Sequence, residues 1–476
     1  MTMNIHTLED TEMTTNNVEE LRATHHKVTA MMALELNSLT SAERATVLED
    51  VHGVGDISPE ERKPDVIKEK LYEMETALRS IPIKPAFDEA QQLCGGEPGG
   101  LVNDPSFRIR FLRAERFNVY EAAKRMVNNL QLIRETCGPE CLLRPIHLSD
   151  MILDKENQGP DTFLFSGNFF QVMPFRDRSG RRIVVRTGRK LFISDNIDIE
   201  TRIKTMLYIC QELANDVECQ MKGVVLIGFP LTLSGESPML DKTVRKLFDS
   251  FERKIVPVRI AAVHLCIPDS PWFKLASYMI LQALTKTFRV RSRVHVGSIE
   301  ECCYKLMTFG IPGDQIPIKS SGIIKCADHK KFIAFCQEQE DAIFRNGGEF
   351  KGILCPSSKD ILVGRGPRIK NHIGNETYRV LLQSIYERYN SASITKKKEI
   401  AFGVIGMVHG YGGRFLVPTK NCWMETDDET ARNKVSIAFR DVRKAMNAKK
   451  KCERNDCVAG ELSEVARINS MHFSCM

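Results

Sequence analysis

The sequence predicts an α/β fold: a helical N-terminal layer, a mixed β-sheet with an apolar helix laid against it, and a second, smaller α/β domain. Three observations lead there. Apolar runs of strand length alternate with segments of helical period between residues 169 and 298, a pattern that yields parallel neighbours joined by helices. The stretch Trp272 to Leu284 has helical length but no clean polar stripe, so it must bury nearly all of itself or cover something apolar. Beyond Gly347-Gly348 a fresh set of glycine-punctuated elements begins, and 476 residues are too many for one ordinary core.

In chain order, residues 1 to about 17 are polar and expected to be disordered. A helix follows over Val18 to Leu36, and another from Thr40, which stands in capping-box register with Glu43, to Gly53. A third starts at Pro64 and runs to about Ile81. Such lead helices can form a lid, offer a partner surface or pack on the main domain, and packing is favoured. Asp104-Pro105 opens a helical pattern through Glu135, with Phe107, Phe111, Leu112, Phe117, Ala122, Ala123, Met126 and Leu130 apolar. The period then changes: Phe169 to Phe175 and Arg182 to Arg186 flank the polar turn Asp177 to Gly180, as in a hairpin. A helix from Ile199 to Met221, a strand Val224 to Phe229, a helix from Pro238 to about Lys254 and a strand Ala261 to Ile267 complete the alternation. A bridging helix is expected near Asp328 to Arg345. The domain limits read in this way are 1–84, 85–144, 145–325, 326–358, 359–447 and 448–476.

The second unit is marked by Asp360 to Pro367, Asn371 to Asn375, Gly412-Gly413-Arg414-Phe415-Leu416 and Trp423. Helices are expected over Tyr378 to Tyr389, Lys397 to His409 and, strongly basic, Glu429 to Met446. From Asn447 the tail is lysine-rich and expected to fray.

Composition excludes several classes. A formal charge of +6 points to local basic patches rather than a wholly cationic protein. The 15 cysteines include no Cys-x-x-Cys pair and read as reduced thiols of a cytoplasmic protein. The N-terminus lacks the cationic start and apolar core of a secretory signal. The longest apolar stretch, Trp272 to Leu284, falls short of the roughly 20 residues that span a bilayer. Cys475 is misplaced for prenylation. No Gly-x-x-x-x-Gly-Lys-Ser/Thr loop occurs, Gly364-Arg365-Gly366 lacks the third glycine of a dinucleotide fingerprint, and Leu233 to Ser237 is no nucleophile elbow. His25-His26 has no further ligand at metal spacing. An enzyme is therefore not expected, nor a cofactor or metal.

A group of motifs points elsewhere. Val256-Pro257-Val258-Arg259-Ile260, the strand ending before Pro271-Trp272-Phe273, Val294-His295-Val296-Gly297-Ser298, and the pairs Ile311-Pro312 and Ile316-Pro317 resemble the CRAL-TRIO lipid-binding domain of phosphatidylinositol, tocopherol and retinal carriers. Arg110 to Ala123 is similar to the helical segment preceding that domain, and Asp177 to Val185 to its hairpin into the first buried strand. The resemblance implies a mixed sheet flooring a lipid cavity and a mobile gate helix at Trp272 to Leu284. The sequence departs from the family at Gly228-Phe229-Pro230, where an acidic residue usually follows the strand, at Pro268-Asp269-Ser270-Pro271, which replaces Asn-Ala-Pro, and at Ser320-Ser321-Gly322, which replaces Gly-Gly. Residues 359–447 resemble an uncharacterised domain found in microalgal proteins.

Lipid retention needs an apolar cavity with few, well-placed polar groups, since a stranded charge costs several kcal/mol. Candidate wall residues are Val225, Ile227, Phe229, Val263, Leu265, Phe273, Met279, Ile280 and Leu284. Alternation puts only one side of each strand on the cavity and does not say which. Lys286, Arg289, Arg291 and Arg293 are candidates for a lipid headgroup or membrane phosphate. Arg181, Arg182, Arg186, Arg189 and Lys190 read as a solvated strand edge. Arg365, Arg368, Lys370, His372 and Arg414, beside glycines, suit either a phosphate or nucleic-acid site or a set of structural turns, and the turns are favoured. The expected function is a peripheral lipid carrier, of the phosphatidylinositol-transfer kind or for an isoprenoid, which visits membranes transiently. The alternative is a regulatory or nucleic-acid-binding protein acting through residues 359–447, with the lipid site as sensor.

Overall fold

The lead helices form where their end signals stand. In the computed structural model, which describes residues 15–55, 57–95, 100–151, 170–187, 199–230, 255–346 and 350–448, α1 covers Thr15–Asn37 and α2 Ser41–His52. The Thr40 hydroxyl accepts from the Glu43 amide, and the Glu43 carboxylate accepts from the Thr40 amide. Gly53 closes α2 at φ 69°, a left-handed turn that glycine takes without penalty, and a Cβ there would collide with Ser179. α3 (Pro64–Ser80) and α4 (Pro85–Leu93) follow. The helix expected from Asp104 to Glu135 is two, α5 (Pro105–Ala114) and α6 (Val119–Cys137). Arg116 and Phe117 separate them with φ of 49° and 62°, a costly conformation for residues with a Cβ. Burial of Phe117 and an ion pair from Arg116 to Asp50 at 2.8 Å hold that turn, and local periodicity shows neither.

The chain divides into two units, residues 1–350 and 351–476. The first contains a sheet in the order β1 (Phe170–Val172), β2 (Arg182–Arg186), β3 (Val224–Gly228), β4 (Ile260–Ile267), β5 (Ser292–Val296). β1 runs antiparallel to β2 and the other pairs are parallel, so the sheet is mixed, as the hairpin and the alternation predict. Register ties Val185, Ile227, His264 and Arg293 into one row, and Val184, Leu226, Val263 and Ser292 into the next. Adjacent rows point to opposite sides.

One side is a closed core: Ile183, Val185, Val225, Ile227, Phe229, Ala262 and Cys266 pack on Cys302 and Leu306 of the helix Ile299–Met307 and on Ile311, Ile316 and Ile318. Each Val, Ile, Leu or Phe side chain buried there stabilises by about 1.5–3 kcal/mol. Over the other side the helix Pro271–Ala283 seats Phe273, Ala276 and Ile280 on Leu265, Ile267 and Val294. The helix Ile199–Ala214 covers the β1–β3 half, and Val217–Lys222 is a separate short helix where one continuous helix to Met221 was expected. The helix Ala327–Asn346 belongs with this unit, since its Glu340 accepts from the Leu148 amide at 3.0 Å and from the Tyr208 hydroxyl at 3.1 Å. The expected Pro238 to Lys254 helix and the Gly347-Gly348 break lie outside the described residues. Among the described residues no helix is long and apolar enough to cross a membrane.

In the second unit β6 (Ile361–Leu362) pairs parallel with β7 (Phe415–Pro418), which pairs antiparallel with β8 (Trp423–Glu425). Helices Ile373–Ser391, Ile394–Gly410 and 428–448 enclose a separate core that includes Tyr378, Leu382, Val404, Val408, Val435 and Phe439.

Candidate functional site

The open side of the first sheet is built from alternate residues of its strands. Leu226, Val263, Leu265 and Val294 are only half-buried there, whereas their neighbours Val225, Ile227 and Ala262 on the packed side are 0–1% exposed. A small apolar cleft, with about 20 Å³ open to the centres of water molecules, lies between this side and the Ile199–Ala214 helix, lined by Phe170, Val184, Met206, Ile209, Cys210, Leu213, Val224, Leu226, Val258 and Ile260. The half-buried Arg186 and the buried Arg202 stand near each other at the β2 end. Burial, followed by the neighbouring Arg202 charge, lowers the Arg186 pKa to about 10.

The candidate wall residues separate under this geometry. Val225, Ile227 and Phe229 sit in the closed core on the packed side. Val263 and Leu265 share the open side with Phe273 and Ile280 of the overlying helix. Leu284 turns instead toward α1, packing with Leu281 and Val28. Met279 is half-buried. Leu226, the open-side residue between Val225 and Ile227, was not among the candidates; strand alternation contained it but could not say which alternate set was open.

The four candidate cations separate too. Arg291 donates to the buried Asp50 at 3.1 Å. That carboxylate also binds Arg116 and Arg259. Burial alone would raise the Asp50 pKa, but the three guanidinium groups outweigh it and hold it below the usual carboxylate range. Arg293 stands on the packed side in the His264 row and donates to the Val290 and Ser292 carbonyls. Lys286 and Arg289 instead face α1: Lys286 Nζ donates to Ser38 Oγ at 2.8 Å, and Arg289 pairs with Glu35 at 3.2 Å. The reading of Arg181 and Arg182 as a solvated edge is corrected. Arg181 is 1% exposed, pairs with Asp177 at 2.6 Å and donates to the Asp50, Val51 and Phe309 carbonyls, while Arg182 is 2% exposed beside Asp216. Each points into a contact that the sequence gives no means of locating. Arg189 and Lys190 lie outside the described residues.

On the packed side His264 Nδ1 lies 2.9 Å from His295 Nε2, the rings stacked and Phe309 set edge-on to both. Burial pushes His264 down to about 2 and His295 to about 4, and nearby positive groups add to the shift, so both imidazoles are neutral. Each histidine alternates with apolar residues in its strand, and only the strand register reveals the pair. Among the described residues no group of three or more His, Cys, Asp or Glu side chains is placed to hold a metal ion.

In the second unit the glycine-rich corner is braced. The buried Asp360 takes a two-pronged ion pair from Arg414 at 3.1 and 2.9 Å and also the Arg414 amide. Asn375 Oδ1 accepts from the Leu362 amide, and its Nδ2 donates to the Leu362 and Ile369 carbonyls. Gly364, Gly366 and Gly412 have φ of 150°, 118° and 75°. Arg365 and Lys370 are exposed.

Residues 360–441 match a domain of unknown function (DUF6824). The chain is 28% identical to Clavesin-1 of Xenopus laevis over 204 residues, 41% of this chain and 55% of that protein. It is 28% identical over 171 residues to the alpha-tocopherol transfer protein-like of Homo sapiens, 34% of this chain and 44% of that protein. It is 29% identical over 171 residues to the Mus musculus counterpart, 34% of this chain and 43% of that protein. The chain spans about half the length of the curated relatives it matches.

Proposed function

We propose that this protein binds one apolar or amphipathic lipid against the open side of its first sheet and exchanges it with membranes. The observation that carries this reading is the contrast between the apolar residues of the two sides: Val225, Ile227 and Ala262 are fully buried on one, while the other leaves Leu226, Val263, Leu265 and Val294 half-buried beneath a helix of apolar character. An apolar surface of this kind is what an acyl or isoprenoid chain needs to leave water, at about 0.8 kcal/mol per methylene. Arg186 and Arg202 place positive charge at its edge, which suits an amphiphile with an anionic group. Similarity to proteins named for tocopherol transfer favours the same reading.

The cycle involves no bond making. The Pro271–Ala283 helix lifts at a membrane, lipid moves along the uncovered strands, and the helix reseats Phe273 and Ile280 over it. Phospholipid, phosphoinositide and isoprenoid ligands all fit this chemistry. Purification of the full chain from a lipid-rich lysate, then native and denaturing mass spectrometry, tests the reading. A stoichiometric lipid is expected; a folded protein that stays empty with every lipid class offered would overturn it.

A further inference from the structure

Among the described residues, helix α1 makes its main contact with the Pro271–Ala283 helix. Val28 is 2% exposed, seated with Met31 and Met32 against Leu281, Leu284 and Phe288. At its far end Glu35 pairs with Arg289 at 3.2 Å and Ser38 accepts from Lys286 at 2.8 Å. The second Glu35 oxygen is buried and makes no hydrogen bond among the described residues. The next helix is fastened quite differently, because Asp50 of α2 is buried among Arg116, Arg259 and Arg291. A fixed anchor is thus joined through Ser38, Leu39 and Thr40 to a helix with one main partner. Methionine contacts repack readily, and the largely buried Glu35–Arg289 pair leaves one carboxylate oxygen unbonded among the described residues, so its attraction offsets the cost of desolvating it only in part.

What α1 covers has the composition of a membrane-seating surface. Tyr278, Leu281, Leu284 and Phe288 are flanked by Lys286 and Arg289, the mixture of apolar and cationic groups that holds a helix at the level of lipid headgroups. The Glu35 carboxylate occupies the place on Arg289 that a lipid phosphate would take. We propose that α1 is a strap over the membrane-docking side of the Pro271–Ala283 helix, and that an anionic phospholipid bilayer displaces it by competing for Arg289 and the apolar stripe. The purpose given to the strap rests on the carrier reading, since a lipid exchanger gains from a docking side that is covered away from membranes and uncovered at them.

The test compares the full chain with its Glu35→Lys and Val28→Asp variants in co-sedimentation with phosphatidylcholine vesicles, with and without phosphatidylserine. Glu35→Lys repels Arg289, and Val28→Asp puts a charge into the strap contact. Both variants should bind phosphatidylserine vesicles about tenfold more tightly than the unmodified chain, the worth of one or two freed cations at an anionic surface, with little gain on phosphatidylcholine alone. Equal binding by variants and unmodified chain overturns the strap. Should Val28→Asp fail to fold, Glu35→Lys decides by itself. Lipid occupancy, measured by mass spectrometry on the same preparations, separates the two ideas. Bound lipid with no gain in vesicle binding removes the strap and keeps the carrier, whereas a gain with no lipid keeps the membrane strap and removes the carrier.

Discussion

At the scale of single residues, the first unit depends on charges that are buried in company. Asp50 receives three guanidinium groups from separate parts of the chain, so Asp50→Asn leaves uncompensated cations and should cost about 3–5 kcal/mol in urea unfolding. Its depressed pKa means that the stabilisation is present above the ordinary carboxylate range and is lost as pH falls through the folded value. The His264–His295 pair acts at higher pH. In the unfolded chain both take up protons near 6.5, while in the fold His295 waits until about 4 and His264 until about 2. Stability should therefore fall as pH drops from about 6.5 toward 4, and His295→Gln should flatten that slope in thermal melts; an unchanged slope would assign it to other groups. These partners were invisible in sequence. The aspartate at position 50 lies 66 residues from Arg116 and 209 from Arg259, and no local pattern links them.

At the scale of elements, end signals were legible and orientation was not. Thr40 with Glu43, Pro64 and Gly53 are short-range features, and each helix begins or ends where they stand. Thr40→Ala should cost about 1 kcal/mol by removing the cap of α2, readable in denaturant unfolding. The break at Arg116 and Phe117 escaped because two long-range contacts impose it on a locally helical pattern. The first four strands were legible as apolar runs, yet their sidedness came only from register. Opposite sides should respond differently to one kind of substitution. Val263→Trp fills the open side and should lower lipid occupancy with little change in melting temperature. Val225→Trp overpacks the closed core and should destabilise by about 1–3 kcal/mol. Loss of stability in both, with occupancy untouched, would place the ligand elsewhere.

At the scale of the whole molecule, two units with separate cores should fail separately. Leu382→Ala, in the core of the second unit, should cost about 2–5 kcal/mol there, lowering one calorimetric transition and leaving the lipid content of the first unit unchanged. Raising salt from about 0.1 to about 1 M shortens the screening length from about 10 to about 3 Å. Bound lipid should survive that change, while any polyanion held by the exposed Arg365 and Lys370 should be released. The α/β class, the cap-marked helix ends, the apolar helix at Pro271–Ala283 and the presence of a second α/β unit were legible in the sequence, because these depend on residues within a turn or two of one another. Tertiary structure alone decided which row set of the sheet stays open, that Arg291 and Arg293 serve the fold while Arg289 meets Glu35, and that α1 lies over the apolar helix. Those outcomes are pairings across tens to hundreds of residues, and a periodicity of two or 3.6 holds no information about which distant partner completes them.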